Sequence, residues 1–153
     1  MAKKDLSYFM RKKEPEVIKF DGPPTFVDEN GKVLEFEMKV LTMEEQDKIN
    51  KMYTVKKPAK DKKGNFIIQN GKLVYDENRD SSKAAKHMMA EALIYPDLKD
   101  TKLMEHYDCH DIAEMPYKVF PIPEEYNYVN RKMLEIFGYA EKDDEEETED
   151  AKN

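Results

Sequence analysis

Tryptophan is absent from this chain, cysteine occurs once, and glycine only five times in 153 residues. A lone thiol, Cys109, cannot build a disulfide framework and fits a reducing compartment. Each glycine already has a structural use: Gly31 and Gly71 in Asn-Gly turns, Gly22 before Pro23-Pro24, Gly64 in a loop entering a strand, Gly138 after a helical run. None is left for a phosphate-cradling loop, and neither G-x-G-x-x-G nor G-x-x-x-x-G-K-[ST] occurs. G-x-S-x-G is missing too, and the serines are only Ser7, Ser81 and Ser82, which leaves a serine-nucleophile enzyme no foothold. No stretch approaches ~18 consecutive apolar residues. The start, Met1-Ala2-Lys3-Lys4-Asp5, has no apolar signal segment. The expectation is a cytoplasmic protein without membrane contact.

Charge is what the chain has in excess. Charged residues make up 39 % and the mean hydropathy is −0.90, against about 25 % charged in ordinary domains. The net charge of −7 is concentrated at one end. From Glu141 to Asn153 there are eight acids and two lysines, a net of −6, so the other 140 residues are almost neutral. Such a run cannot bury enough apolar surface to offset chain entropy, and 141–153 reads as a disordered acidic tail. Met1 to Pro15 reads as a basic arm carrying one apolar cluster, Leu6, Tyr8, Phe9 and Met10. Residues 16–140 remain for a single domain.

Within that domain, Glu16 to Phe20 is consistent with a short strand stopped at Gly22-Pro23-Pro24. A first hairpin is expected from Phe26-Val27 through Asn30-Gly31 to Val33–Leu41, because Asn-Gly suits a type I′ turn. Leu34, Phe36, Met38 and Val40 alternate with Glu35, Glu37 and Lys39, the period of a half-exposed strand. A second hairpin repeats the pattern with Phe66-Ile67-Ile68, Asn70-Gly71 and Leu73-Val74-Tyr75. Thr42 and Glu45 form a capping box for a helix of about 43–53. Asp80 or Ser81 opens a helix that runs to Tyr95, and Asp100 caps a short one over 101–107. Residues 108–121 read as irregular, and Pro123 to Phe137 as a last helix stopped by Gly138. Two hairpins with three to four helices and no βαβ alternation define an α+β fold.

Few clusters carry chemistry. His106, Cys109 and His110 are all residue types that bind zinc, yet their spacing matches neither C-x2-C nor H-E-x-x-H. A helix end with a buried thiol is the plainer reading. His87 has Glu91 at helical spacing, which explains it as a surface ion pair. The lysines at 51, 56, 57, 60, 62 and 63 face only Asp61, but arginine is scarce and the aromatics are not interleaved. The stretch reads as a solvated loop rather than a nucleic-acid site. Ten methionines exceed what core volume needs. Met88, Met89, Ala92, Val129 and Met133 lie on helical faces that either fill the core or form an adaptable groove for a partner. Met88 and Met133 read as core, and Met89 is left open.

The chain resembles the XkdN-like tail assembly chaperones of phages and prophages from Gram-positive bacteria. The matching stretches are Phe9-Met10-Arg11-Lys12-Lys13-Glu14-Pro15-Glu16, Lys39-Val40-Leu41-Thr42 with Glu44-Glu45, and Met52-Tyr53-Thr54. They continue with Ala59-Lys60-Asp61-Lys62-Lys63-Gly64, Glu91-Ala92-Leu93-Ile94-Tyr95-Pro96-Asp97-Leu98-Lys99-Asp100, and Glu114-Met115-Pro116 with Lys118-Val119-Phe120. The resemblance implies a non-enzymatic protein without a cofactor that coats the tape measure protein before the tail tube polymerises round it. Contact with the tail tube protein and self-association are further expectations from it. No residue role transfers. A structural tail or baseplate component of the virion is the alternative, and a small metal-dependent enzyme built on His106, Cys109 and His110 a more distant one.

Overall fold

The computed structural model describes residues 4–12 and 14–140; the acidic stretch 141–153 lies outside them. The α+β class holds. A three-stranded antiparallel sheet is built from β1 (Val17–Asp21), β2 (Glu35–Lys39) and β7 (Leu93–Tyr95), in the order β1-β2-β7. Helices α1 (Met43–Met52), α2 (Ser81–Ala92), α3 (Thr101–His106), α4 (Met115–Val119) and α5 (Pro123–Phe137) complete the body. Four further short strands, β3 (Thr54–Pro58), β4 (Ile68–Gln69), β5 (Lys72–Leu73) and β6 (Tyr75–Arg79), form a separate β-arm between α1 and α2. Among the described residues no helix is long and apolar enough to cross a membrane.

Local chemistry sets most helix ends. The Glu45 N–H donates to Thr42 Oγ1 at 3.2 Å, the N-cap half of a capping box, and the Thr42 hydroxyl donates to Glu45 Oε1 at 3.1 Å. Asp80 accepts from the Lys83 N–H at the start of α2, and Asp100 from the N–H groups of Lys102 and Leu103 at the start of α3. At the end of α5 the Gly138 N–H bonds to the Glu135 carbonyl and the Tyr139 N–H to that of Leu134, the paired bonds of a Schellman motif.

Three expectations need correction. β2 pairs along its whole length with β1, Val17 opposite Lys39 and Phe20 opposite Phe36, whereas Val27 and Val33 make only an isolated bridge. The first hairpin is thus the tip of a longer ribbon. Helix α2 stops at Ala92 rather than Tyr95, and 93–95 becomes β7 on β2. Pro96 pushes the residue before it out of helical geometry, and the extended backbone then finds partners on β2. Inside 108–121, Ile112–Glu114 forms a 3-10 turn that leads into α4.

The core lies where α2 meets the sheet and the other helices. Phe36 and Met38 enter from one face of β2, as the alternation requires, and meet Met89, Ala90, Leu93, Met115, Phe120, Val129 and Met133. Phe20, Phe26 and Phe120 surround Phe36 at ring-centroid distances of 5.9, 6.1 and 6.0 Å. Gly22 lies flat against this cluster: a Cβ there would stand 2.5 Å from the Phe36 ring. Its need for close approach outweighs the turn role suggested by Pro23-Pro24.

Candidate functional site

The five candidate partner-binding residues do not line an open groove. Met89, Ala92, Val129 and Met133 are at most 2 % exposed, packed between α2 and α5, and Met88 is half-buried. Helix α2 has neighbours on several sides, so its buried positions Ala84, Lys86, His87, Met89, Ala90 and Ala92 do not form the single stripe that a surface helix shows. Lys86 reaches outward along this packing, with Nζ 4.2 Å from the Tyr117 ring centre and 3.8 Å from Glu114.

His106, Cys109 and His110 are not brought together. The His106 ring packs edge-on against Tyr107, the Cys109 thiol is buried and donates to the Asp111 carbonyl at 3.2 Å, and His110 points into solvent beside Asp108. Among the described residues no three of His, Cys, Asp and Glu converge as a metal would require.

A buried titratable relay lies elsewhere. His87, read above as a surface residue, is buried, with Nδ1 2.7 Å from the Tyr53 hydroxyl and Nε2 3.7 Å from Glu91. Glu91 is also held by Lys99 at 3.1 Å. Burial pushes the imidazole pKa below its ordinary value, while the Glu91 and Asp111 carboxylates pull the other way. Burial likewise raises the Tyr53 hydroxyl, and that of Tyr126 to about 12, so neither provides a phenolate near neutral pH. The relay lies beside a shallow depression lined by Glu45, Lys48, Ile49 and Met52. With a neutral ring it ties the end of α1 to the middle of α2.

A stretch of exposed apolar and charged residues lies on the arm, residues 54–79. Strands β3 (Thr54–Pro58) and β6 (Tyr75–Arg79) pair with each other and with no other strand, and all of β6 is exposed. At the base the Asp80 N–H bonds to the Tyr53 carbonyl. Of the lysines expected in a loop, Lys51 is on α1, while Lys56 and Lys57 are in a ribbon: Lys56 pairs with Glu77 at 3.3 Å, and Lys57 sits opposite Asp76. Such cross-strand pairs contribute ~0.2–1 kcal/mol each.

Beyond the ribbon the chain branches into two small hairpins. One turns at 61–64, with Lys60 bridged to Phe66; the other joins β4 (Ile68–Gln69) to β5 (Lys72–Leu73) through Asn70-Gly71. The branch point is closed by a ring of three backbone bonds. Ala59 N–H donates to Val74 C=O at 2.8 Å, Val74 N–H to Ile67 C=O at 3.0 Å, and Ile67 N–H to Ala59 C=O at 3.0 Å. Three chain segments thus satisfy one another where no fourth strand is available. Ala59 is buried at this junction, apart from the main core; a small side chain suits three converging backbones.

The junction leaves apolar side chains outside. Ile68 and Leu73 are direct partners, and Phe66 and Tyr75 lie two residues outside them along the chain, across the junction. These four are between 42 % and 64 % exposed. Around them lie Lys60, Lys62, Lys63 and Lys72 against Asp61 alone, a net of +3 over residues 59–74. Lys60 Nζ is 5.4 Å from the Phe66 ring centre. The sequence signals for this surface were the second Asn-Gly turn and the lysine run, read above as separate features.

Fold and site together define a small α+β domain that carries part of its exposed apolar and basic surface on a β-arm, while Leu6, Tyr8, Phe9 and Met10 near the N-terminus are exposed too. The chain belongs to the phage XkdN-like tail assembly chaperone family, whose model matches residues 6–152. It is 35 % identical to the phage-like element PBSX protein XkdN of Bacillus subtilis (strain 168) over 152 residues, 97 % of this chain and 94 % of that one. It is 31 % identical to the uncharacterized protein YqbN of the same strain, covering 96 % and 91 %. The crystal structure of YqbN superposes with a TM-score of 0.66 at 24 % identity, covering 91 % of this chain and 100 % of that one, a likeness of fold.

Proposed function

We propose that this protein is a tail assembly chaperone that binds the tape measure protein of a long-tailed phage or prophage while the tail is built, in the host cytoplasm and without catalysing a reaction. Family membership over residues 6–152 carries this reading. The arm supports it, because a chaperone for a long amphipathic rod needs exposed apolar surface held on a stable domain. A Met-lined groove on α2 and α5 is not needed for it, since those side chains are core. The test is co-expression with the tape measure protein of the same phage. Co-purification, with the tape measure protein rendered soluble, is the expected result. Failure to co-purify at low salt and micromolar concentration counts against the chaperone role. Mass spectrometry of purified particles should find the protein absent; its retention would make it a structural tail or baseplate component instead.

A further inference from the structure

We propose that the tip of the arm, residues 59–74 with Tyr75, is the docking surface, and that its occupant is an amphipathic segment of another protein with an apolar face flanked by Asp and Glu. The identity of the protein tested rests on the chaperone reading; the chemistry of the surface does not.

The apolar residues Phe66, Ile68, Leu73 and Tyr75 are exposed at the junction, with Ile68 and Leu73 directly paired. The backbone ring at Ala59, Ile67 and Val74 fixes the branch, and the Asp61 carboxylate accepts from the N–H groups of Lys63 and Asn65 at 2.9 Å each, fixing the turn that carries the lysines. The four apolar residues do not reach the core, whose members all belong to the body. Theirs is therefore apolar surface exposed outside the core of the body.

Charge and composition select among occupants. The chain's own segment 141–153 has the right sign but no apolar residue larger than Ala151, so it can meet the lysines without covering the apolar residues. A second arm brings the same net charge of +3 and is repelled. A nucleic acid would meet the lysines and stack on Phe66 and Tyr75, but it would leave Ile68 and Leu73 without an apolar partner. An apolar segment flanked by acids satisfies the apolar residues and the lysines together.

The test uses full-length protein, the tape measure protein, and two probe peptides with the same leucine stripe, one flanked by Glu and one by Lys. Ile68→Ser with Leu73→Ser should weaken binding of the tape measure protein and of the Glu-flanked peptide at least tenfold, with the melting curve of the body retained. Lys62→Glu with Lys63→Glu, on an exposed turn that keeps Asp61 and Gly64, should do so mainly at low salt. The Glu-flanked peptide should bind at least tenfold more tightly than the Lys-flanked one. If the tape measure protein binds wild type and both variants equally, the surface is wrong and the chaperone reading stands. If it binds none, while the Glu-flanked peptide still depends on the arm, the chaperone reading fails and the surface stands. Peptide binding indifferent to the variants or to peptide charge overturns the proposal. So does a gain in binding on neutralising Glu145, Glu146 and Glu147 to Gln, which would put the chain's own tail on the arm. A dimer abolished by the serine pair would put a second copy there and overturn it too.

Discussion

The body and the β-arm use similar apolar residues to opposite ends. In the body Phe36 and Met38 project from β2 into the shared core and lose nearly all exposure. In the arm Phe66 and Ile68, and Leu73 and Tyr75, are likewise two residues apart, and each keeps a large part of its surface in water. Alternation specifies a face, not a neighbour. Whether that face becomes core depends on what the rest of the chain lays against it. Helix α1 meets the arm at its base, where Thr54 Oγ1 donates to the Asn50 carbonyl, while the four tip residues stay outside the core.

The largest effect should come from breaking the body. Phe36→Ala should cost about 3–5 kcal/mol of unfolding free energy, because a large ring leaves a cavity among three other phenylalanines. Phe66→Ala should stay within about 1 kcal/mol, as removal of one cross-strand partner on an exposed ribbon does. Urea denaturation of the two variants side by side measures the contrast; equal losses would mean that the arm is part of the core. Gly22→Ala comes next, at about 1–3 kcal/mol, because its methyl would overlap the Phe36 ring. A loss near zero there would mean that the phenylalanine cluster gives way easily.

The pH response should also belong to the body. The folded-state pKa of His87 lies below its ordinary value of 6.5, so the unfolded chain binds the proton more readily. Its contribution is therefore neutral above about pH 6.5 and increasingly destabilising as pH falls through that value towards the folded pKa. Stability measured from pH 7.5 to 5 should decline, and His87→Gln should flatten that decline while lowering stability at pH 7.5 through loss of the Tyr53 bond. An unchanged pH slope in the variant would remove His87 as its source.

The two Asn-Gly turns provide a finer comparison. Asn70 and Gly71 both have positive φ, 51° and 74°, as a type I′ turn requires. At Asn30-Gly31 only the glycine does: the Gly31 N–H bonds back to the Asp28 carbonyl, and Asp28 N–H pairs with Lys32 C=O. Asp61 to Gly64 repeats that geometry, with Gly64 at φ 84°. Asn70→Ala should therefore cost about 1–2 kcal/mol locally, read as faster amide exchange at Lys72 and Leu73. Asn30→Ala should leave its turn almost unaffected. Equal responses would contradict the turn assignment.

These turns also show what the sequence made legible. Helix ends were readable because their signals are local: Thr42 with Glu45, Asp100, and Pro123 with Gly138 each act within one turn. The β2 alternation was readable for the same reason. Its partner was not, since Asn30-Gly31 marks where the chain reverses and says nothing of how far the pairing runs beyond it; the Asp-x-x-Gly spacing common to 28–31 and 61–64 was the better guide to the turn itself. The end of α2 was misread because Leu93 and Tyr95 fit a helical period until Pro96 and β2 draw them into the sheet. The arm's junction depends on three segments closing on one another, and no period within any one of them reports that. The Met-bearing faces suffered the converse difficulty: a helix surrounded by partners on several sides shows the same composition as one with an open groove.

The division between a body that stabilises and an arm that makes contact is tested most directly by amide hydrogen exchange of the full-length protein, free and bound to the co-expressed tape measure protein. Protection gained over residues 59–79, with α2 and α5 unchanged, is the expected result. Protection gained along α2 and α5 while the arm exchanges as in the free protein would contradict it.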